Sequence, residues 1–216
     1  MSADPAPLRR VAIAGDPTRP ADAALAWVLE QAWALLETGC ADPAHGCHWP
    51  VLATVALDGS ADARTVVLRA VDTGARELAV HSDARAGKLA QLRANPRACL
   101  VFHDGPGRTQ LRASGPIGIH AGDETAMQAW AALRPQSRSL YDGFARFALL
   151  RLRITTLDWL LLDPAGHRRA RFRWADGAGY RDGNGDGNAD GDGEGRGTGR
   201  NLQDSRPVCE AAWIEP

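Results

Sequence analysis

An antiparallel β-barrel with flanking helices is the fold this sequence predicts, and three observations predict it. Short β-branched and alternating runs recur along the chain, at 52–57, 63–69, the stretch ending His81-Ser82-Asp83, 98–102, 110–120, 151–162, 167–174 and 211–214. The links between them are short turn signals, clearest at Asp58-Gly59 and at Asp163-Pro164-Ala165-Gly166, and such turns join antiparallel neighbours. Only three stretches carry a helical period. Strands that outnumber helices and follow one another through short turns favour a mainly β architecture, and a barrel of six or seven strands is the expectation.

The elements follow in order. Residues 21–37 place Leu25, Val28, Leu29, Ala32, Leu35 and Leu36 on one stripe, the pattern of a packing helix without chemistry of its own. After the three strands of 52–83, residues 88–95 form a short helix stopped by Pro96. Within 110–120, Gly115-Pro116 suggests a bend or bulge. Residues 123–133 read as a helix with Asp123 and Glu124 in its first turn, where negative charge suits the helix dipole, ended by Arg134-Pro135. A hairpin of 151–162 and 167–174 and a last strand at 211–214 complete the series.

At 216 residues the chain suits one domain spanning 1–216. A net charge of −1 and a pI near 6.6 lack the basic excess of a nucleic-acid-binding protein. No apolar run approaches the roughly 18–20 residues that span a bilayer, and the N-terminal residues lack an uninterrupted signal-peptide core, so a cytoplasmic protein with no membrane or nucleic-acid partner is expected. Cys40, Cys47, Cys99 and Cys209 form no CxxC pair and read as free thiols. Cys40, His45, Cys47 and His48 offer zinc-type donors, but without a second paired motif they read as a loop.

Residues 176–206 are almost wholly Gly, Asp and Asn in their central part and read as a flexible insertion before the last strand. Asp182, Asn184 and Asp186 match the first half of a calcium loop, but position twelve is Gly193 rather than glutamate. Because loop-closure cost changes by only about 0.6 kcal/mol per doubling of length, replacing residues 183–199 with a short turn is expected to leave ligand affinity and the melting temperature nearly unchanged. Loss of ligand binding in the deletion, or a calcium-dependent rise in melting temperature seen only with the insertion present, would contradict this.

The chemistry concentrates in 52–88, LATVALDGSADARTVVLRAVDTGARELAVHSDARAGK. Arg64 and Arg69 flank a β-branched run, and Ser82, Arg85 and Lys88 gather where a helix opens. Cations and a hydroxyl converging on a helix start suit a phosphate. This segment resembles the pyridoxamine 5'-phosphate oxidase-like family of FMN-binding split barrels, and the resemblance extends over about 21–173 and the last few residues. It implies that FMN meets Arg64, Ser82 and Lys88, with Val66, Val67 and Leu68 as backbone beside the ring, and that Gln110 reaches the ring edge. His81-Ser82 stands where the vitamin-processing oxidases have Tyr-Thr, so the resemblance counts His81 too among the flavin contacts. Gly87-Lys88 replaces an adjacent Arg-Lys, with Arg85 supplying the missing charge.

The same resemblance assigns substrate contacts to Arg69, Arg134, His167 and Arg169, the last two in place of an Arg-x-His pair, and a further flavin contact to Arg171. The family tryptophan over the flavin falls at Trp159 or Leu160. A strict period of two puts Arg64 and Arg69 on opposite faces, one for cofactor and one for substrate. The implied activity is FMN-dependent oxidation of a small, phosphorylated amine or alcohol by dioxygen in a homodimer, with no side chain as nucleophile. A flavin reductase using a nicotinamide donor and a non-catalytic flavin-binding protein are the alternatives. The structural alternative for Arg168, Arg169 and Arg171 is an exposed basic strand edge.

Overall fold

A computed structural model describes residues 21–175 and 210–215. The insertion at 176–206 lies wholly outside them, and so do the calcium pattern and Cys209. Helix α1 spans Ala21–Ala41, and its buried stripe is the one the sequence marks: Leu25, Val28, Ala32 and Leu36 are buried, with Leu29 and Leu35 half-buried. Completely burying a leucine such as Leu36 stabilises the fold by roughly 1.5–3 kcal/mol.

Ten strands follow among the described residues: β1 Val51–Val55, β2 Ala61–Thr65, β3 Leu68–Asp72, β4 Glu77–Asp83, β5 Arg97–Asp104, β6 Thr109–His120, β7 Phe147–Arg153, β8 Thr156–Leu161, β9 Arg168–Arg173 and β10 Glu210–Ile214. Helices α2 (Gly87–Ala94), α3 (Glu124–Ala131) and α4 (Pro135–Arg138) are interspersed. Every pairing is antiparallel.

Eight predicted runs become ten strands because two of them are each broken in two. The run 63–69 pairs with β1 as far as Thr65, leaves that sheet at Val66-Val67, and resumes as β3 against β4. The run 151–162 ends β7 at Arg153 and restarts as β8 at Thr156, pairing with a different part of β6. Counting β2 and β3 as one bent strand, the ring β1, β2/β3, β4, β7, β6 and β5 has six positions, and β8, β9 and β10 extend the sheet as a wing. No strand pattern in the sequence announces such a break, because both halves keep their own alternation.

Strand β6 joins the two parts. Thr109–Pro116 pairs with β5, Thr109–Ser114 also with β8, and Ile117–His120 with β7. The exchange falls at Gly115, where an added Cβ would overlap the carbonyl oxygen of Arg153. The predicted bend at Gly115-Pro116 is this switch of partners. Pro135 also differs from expectation: beyond stopping α3 it opens α4 at its first position, where a missing N–H costs nothing.

The main core fills the barrel with Leu52, Leu68, Leu78, Leu100, Phe102, Leu111, Leu150 and Phe172, all at most 1% exposed. A second cluster, Ala79, Ala126, Phe147 and Leu149 with Trp130 and Tyr141 packed against it, lies on the outer face of β4 and β7 beneath α3. Asp123 caps α3 by accepting from the Ala126 N–H at 2.7 Å. No helix among the described residues is long and apolar enough to cross a membrane.

Candidate functional site

Strand β4 separates two chemically distinct places. Its alternation turns Ser82 inward, 3% exposed, and His81 outward onto a cavity, so neighbouring residues serve different sides.

On Ser82's side, α2 begins at Ala86, which offers its helix no side-chain cap. The first N–H groups of an uncapped helix are a ready anion site. Lys88 lies in this first turn. Burial, and then the neighbouring charge of Arg64, lower the pKa of its ammonium. Arg64 donates to Thr54 Oγ1 at 2.6 Å and Gln91 Oε1 at 3.1 Å and pairs with Asp62, whose carboxylate in turn accepts from Gln91 Nε2 at 2.8 Å. This network ties β2 to α2 and aims Arg64 at the helix start. Arg85 behaves differently from its assigned role: its guanidinium forms a two-point pair with Asp83, at 3.0 and 2.7 Å. Its charge is already matched by a carboxylate held well below the usual range by Arg85's hydrogen bonds.

On the other side, a cavity of about 870 Å³ lies between the end of α1, the outer face of β3, β4 and β7, and the α3–α4 segment. Arg69, His81 and Arg134 all line it. Arg69 reaches it through a backbone irregularity: Leu68 faces Val80 and Ala70 faces Ala79, leaving Arg69 as the extra residue of a β-bulge. Bulges re-aim side chains, so the strict alternation expected from Arg64 to Arg69 does not hold; a strand break and a bulge intervene. Among the described residues no carboxylate is within ion-pair distance of Lys88, Arg69 or Arg134.

His81 packs edge-on to Phe147 with ring centroids 4.9 Å apart, and its Nδ1 is buried without a hydrogen-bond partner. Burial, reinforced by the charge of Arg69, lowers its pKa to about 4. The imidazole is therefore neutral at pH 7. The folded state resists a proton that the unfolded chain accepts below its ordinary pKa, so stability falls as pH drops from about 6.5 towards 4. Urea unfolding at pH 7 and pH 4.5 is expected to show a loss on the order of 2 kcal/mol that His81→Asn removes. An equal loss in both proteins would contradict the assignment.

Val66, Val67 and Leu68 lie at the break between β2 and β3, and the remaining assigned residues lie on the wing or on the part of β6 that pairs with it. Gln110 on β6 pairs with Leu160 of β8, which pairs with Arg169 of β9. Leu160 shares this face with Gln110, whereas Trp159 turns into the core, 3% exposed, against Trp213. Of the two positions for the family tryptophan, Leu160 thus has the matching face, and it carries no ring. Arg171 and Arg169 both bond Asp158, while His167 is exposed in the loop before β9. None of these wing residues lines the cavity.

Sequence reasoning missed Ser137, Arg151 and Glu77 in the cavity wall, and Asp158 on the wing. Ser137 was legible in principle, one turn after Arg134 across Pro135. Glu77 and Arg151 come from separate strands, 3.9 Å apart, and only pairing of β4 with β7 unites them. Cys40 and His48 also reach the cavity, but no group of three metal-type donors gathers among the described residues.

Comparison with known proteins decides the ancestry. The family pattern described as pyridoxamine 5'-phosphate oxidase matches residues 41–159, more than half of the chain. The chain belongs to this family. A pyridoxine/pyridoxamine 5'-phosphate oxidase of Azorhizobium caulinodans is 36% identical over 105 residues, 44% of this chain and 48% of that protein. One from Nitrobacter winogradskyi is 32% identical over 114 residues, 53% of this chain and 51% of the other. The chain therefore spans about half the length of the curated relatives it matches.

Among solved structures, a pyridoxamine 5'-phosphate oxidase-related, FMN-binding protein of Nostoc punctiforme superposes with a TM-score of 0.59 at 21% identity, covering 69% of this chain and 91% of that one. PhzG of Burkholderia lata, in complex with tetrahydrophenazine-1-carboxylic acid, gives 0.53 at 15% identity, with coverage of 88% and 92%. These likenesses support the split-barrel fold that the family shares.

Proposed function

We propose that this family member binds FMN and oxidises a small anionic amine or alcohol, with dioxygen as acceptor. The observation that carries the reading is the pair of places flanking β4: a cationic, uncapped helix start on one side and an arginine-lined cavity on the other. The donor set fits a flavin mononucleotide, since the helix start supplies unpaired N–H groups and two cations for a phosphate.

In this reading Lys88, Arg64 and Ser82 hold the phosphate, and Val66, Val67 and Leu68, at the break between β2 and β3, provide backbone beside the ring. Bound FMN would supply the two-electron acceptor for a hydride from substrate carbon. Arg69 and Arg134 attract the substrate's anionic group and fix its orientation, the part of catalysis that binding residues contribute. His81, neutral at pH 7, adds a polar edge to the cavity without adding charge. The hydrophobic wall of Ala79, Leu133 and Leu149 excludes water from the reacting face. The wing residues Gln110, Arg169 and Arg171 stand apart from the cavity, so we place them across a homodimer interface, where one copy completes the site of the other. A single domain with the Gly/Asp-rich insertion before β10 is part of the same reading.

Purified protein should be yellow, heat should release FMN identifiable by chromatography, and a phosphorylated amine should bleach it without air. FAD in place of FMN, or no uptake of added flavin, would overturn the reading. Bleaching by a nicotinamide donor alone would make the protein a reductase.

A further inference from the structure

Asp158 is a buried carboxylate surrounded by three guanidiniums. Register sets it directly opposite Arg112 of β6 and Arg171 of β9, so the three side chains share one face of the sheet. Arg169 donates from Nε to Oδ1 and from Nη2 to Oδ2, both at 2.9 Å. Arg171 donates from Nε and Nη2 to Oδ2 at 3.2 and 2.9 Å, and Arg112 Nη2 reaches the same oxygen at 3.3 Å. Burial by itself would raise the carboxyl pKa, but the hydrogen bonds from Arg169 and Arg171 lower it on balance. The side chain of Asp158 is 4% exposed, while those of Arg169 and Arg171 are 22% and 29% exposed. A buried anion thus holds cations whose outer edges remain at the surface.

The arithmetic of the cluster is three positive charges against one negative, so it presents net positive charge. Both arginines of β9 engage Asp158 through Nε and Nη2, which leaves Nη1 of each outside the clamp. A guanidinium fixed through one edge offers the other as a preset donor.

We propose that Asp158 is a positioning residue that presets Arg169 and Arg171 to receive the bound FMN and its anionic ligand. The inference rests on the assignment of these arginines under the proposed function. Positioning and charge predict opposite signs on neutralising Asp158. If the arginines acted only through their charge, removing the carboxylate would strengthen anion binding, since the patch becomes more positive. If Asp158 sets their geometry, binding weakens despite the added net positive charge.

FMN titration into flavin-free full-length protein separates these. Asp158→Asn is expected to bind FMN about tenfold more weakly, the effect of losing roughly one charge-assisted contact, and Asp158→Glu should fall between it and wild type. Arg171→Ala should weaken binding comparably, and combining it with Asp158→Asn should add little. FMN affinity equal to or tighter than wild type in both Asp158 variants overturns the proposal, even if the melting temperature drops. Should Asp158→Asn not fold, a loss of about threefold in Asp158→Glu supports the proposal and wild-type affinity sinks it. If Arg169→Ala and Arg171→Ala both leave affinity intact while Lys88→Ala weakens it, the flavin reading stands and the positioning role falls.

Discussion

Arg64→Ala and Lys88→Ala are each expected to weaken FMN binding by one to two decades while the protein remains folded. A charge-assisted hydrogen bond to phosphate is worth roughly 1.5–3 kcal/mol, which is about one to two factors of ten. Lys88 is the more exclusive contributor: burial, and then the neighbouring charge of Arg64, lower the pKa of its ammonium, and a bound dianion offsets both by supplying a counter-charge. Arg64 carries a structural share as well, through Thr54, Gln91 and Asp62. Its alanine variant should therefore lose about 1 kcal/mol of stability that Lys88→Ala keeps. Flavin titration measures the first effect and urea unfolding of the flavin-free proteins the second. Unchanged FMN affinity in both variants would remove the phosphate assignment.

Gly115→Ala should be among the most damaging single-methyl additions in the described residues. The new Cβ would meet the Arg153 carbonyl oxygen and sit 3.2 Å from the Thr155 N–H nitrogen. Both are backbone atoms fixed by pairing, and Thr155 N donates to Ser114 O at 2.9 Å, so no side chain can swing away. The loss is expected to be about 3 kcal/mol or more, at the upper end for overpacking, and to appear as a lower urea midpoint. Gly105→Ala is the control: nothing lies within 4 Å of its added Cβ, and its effect should stay within about 0.5 kcal/mol. Similar losses at the two positions would mean that the meeting of β6 with the β7–β8 link is not tight.

The helical and strand content was legible because each element carries its own period. The stripe of α1 and the acidic start of α3 are local facts, and the structure has both, with Asp123 capping the helix rather than lying in its first turn. The two strand breaks were not legible: Thr65-Val66-Val67-Leu68 and Arg153-Ile154-Thr155-Thr156 are β-favouring throughout, and nothing local says that pairing partners change there. Of the candidate site, Arg69, His81 and Arg134 do meet at one cavity, and Lys88 meets Arg64 at the helix start. Arg85 supplies a free charge in the sequence reading, whereas the folded turn pairs its guanidinium with Asp83. Asp158 was passed over because a lone acid on a strand has no motif, and its three arginines come from three separate runs.

By itself, then, the sequence determined the β-rich class, the helix positions, and the cationic and hydroxyl residues around 64–88 that resemble an FMN site, since residue type and short-range spacing carry those. Only the tertiary structure decided that β6 is shared between the barrel and the wing, that a bulge turns Arg69 to the cavity, that Leu160 rather than Trp159 shares Gln110's face, and that Asp158 gathers Arg112, Arg169 and Arg171. Each of these depends on which strands lie side by side and in what register. Register is fixed by burial summed over the whole sheet, which no window of neighbouring residues contains.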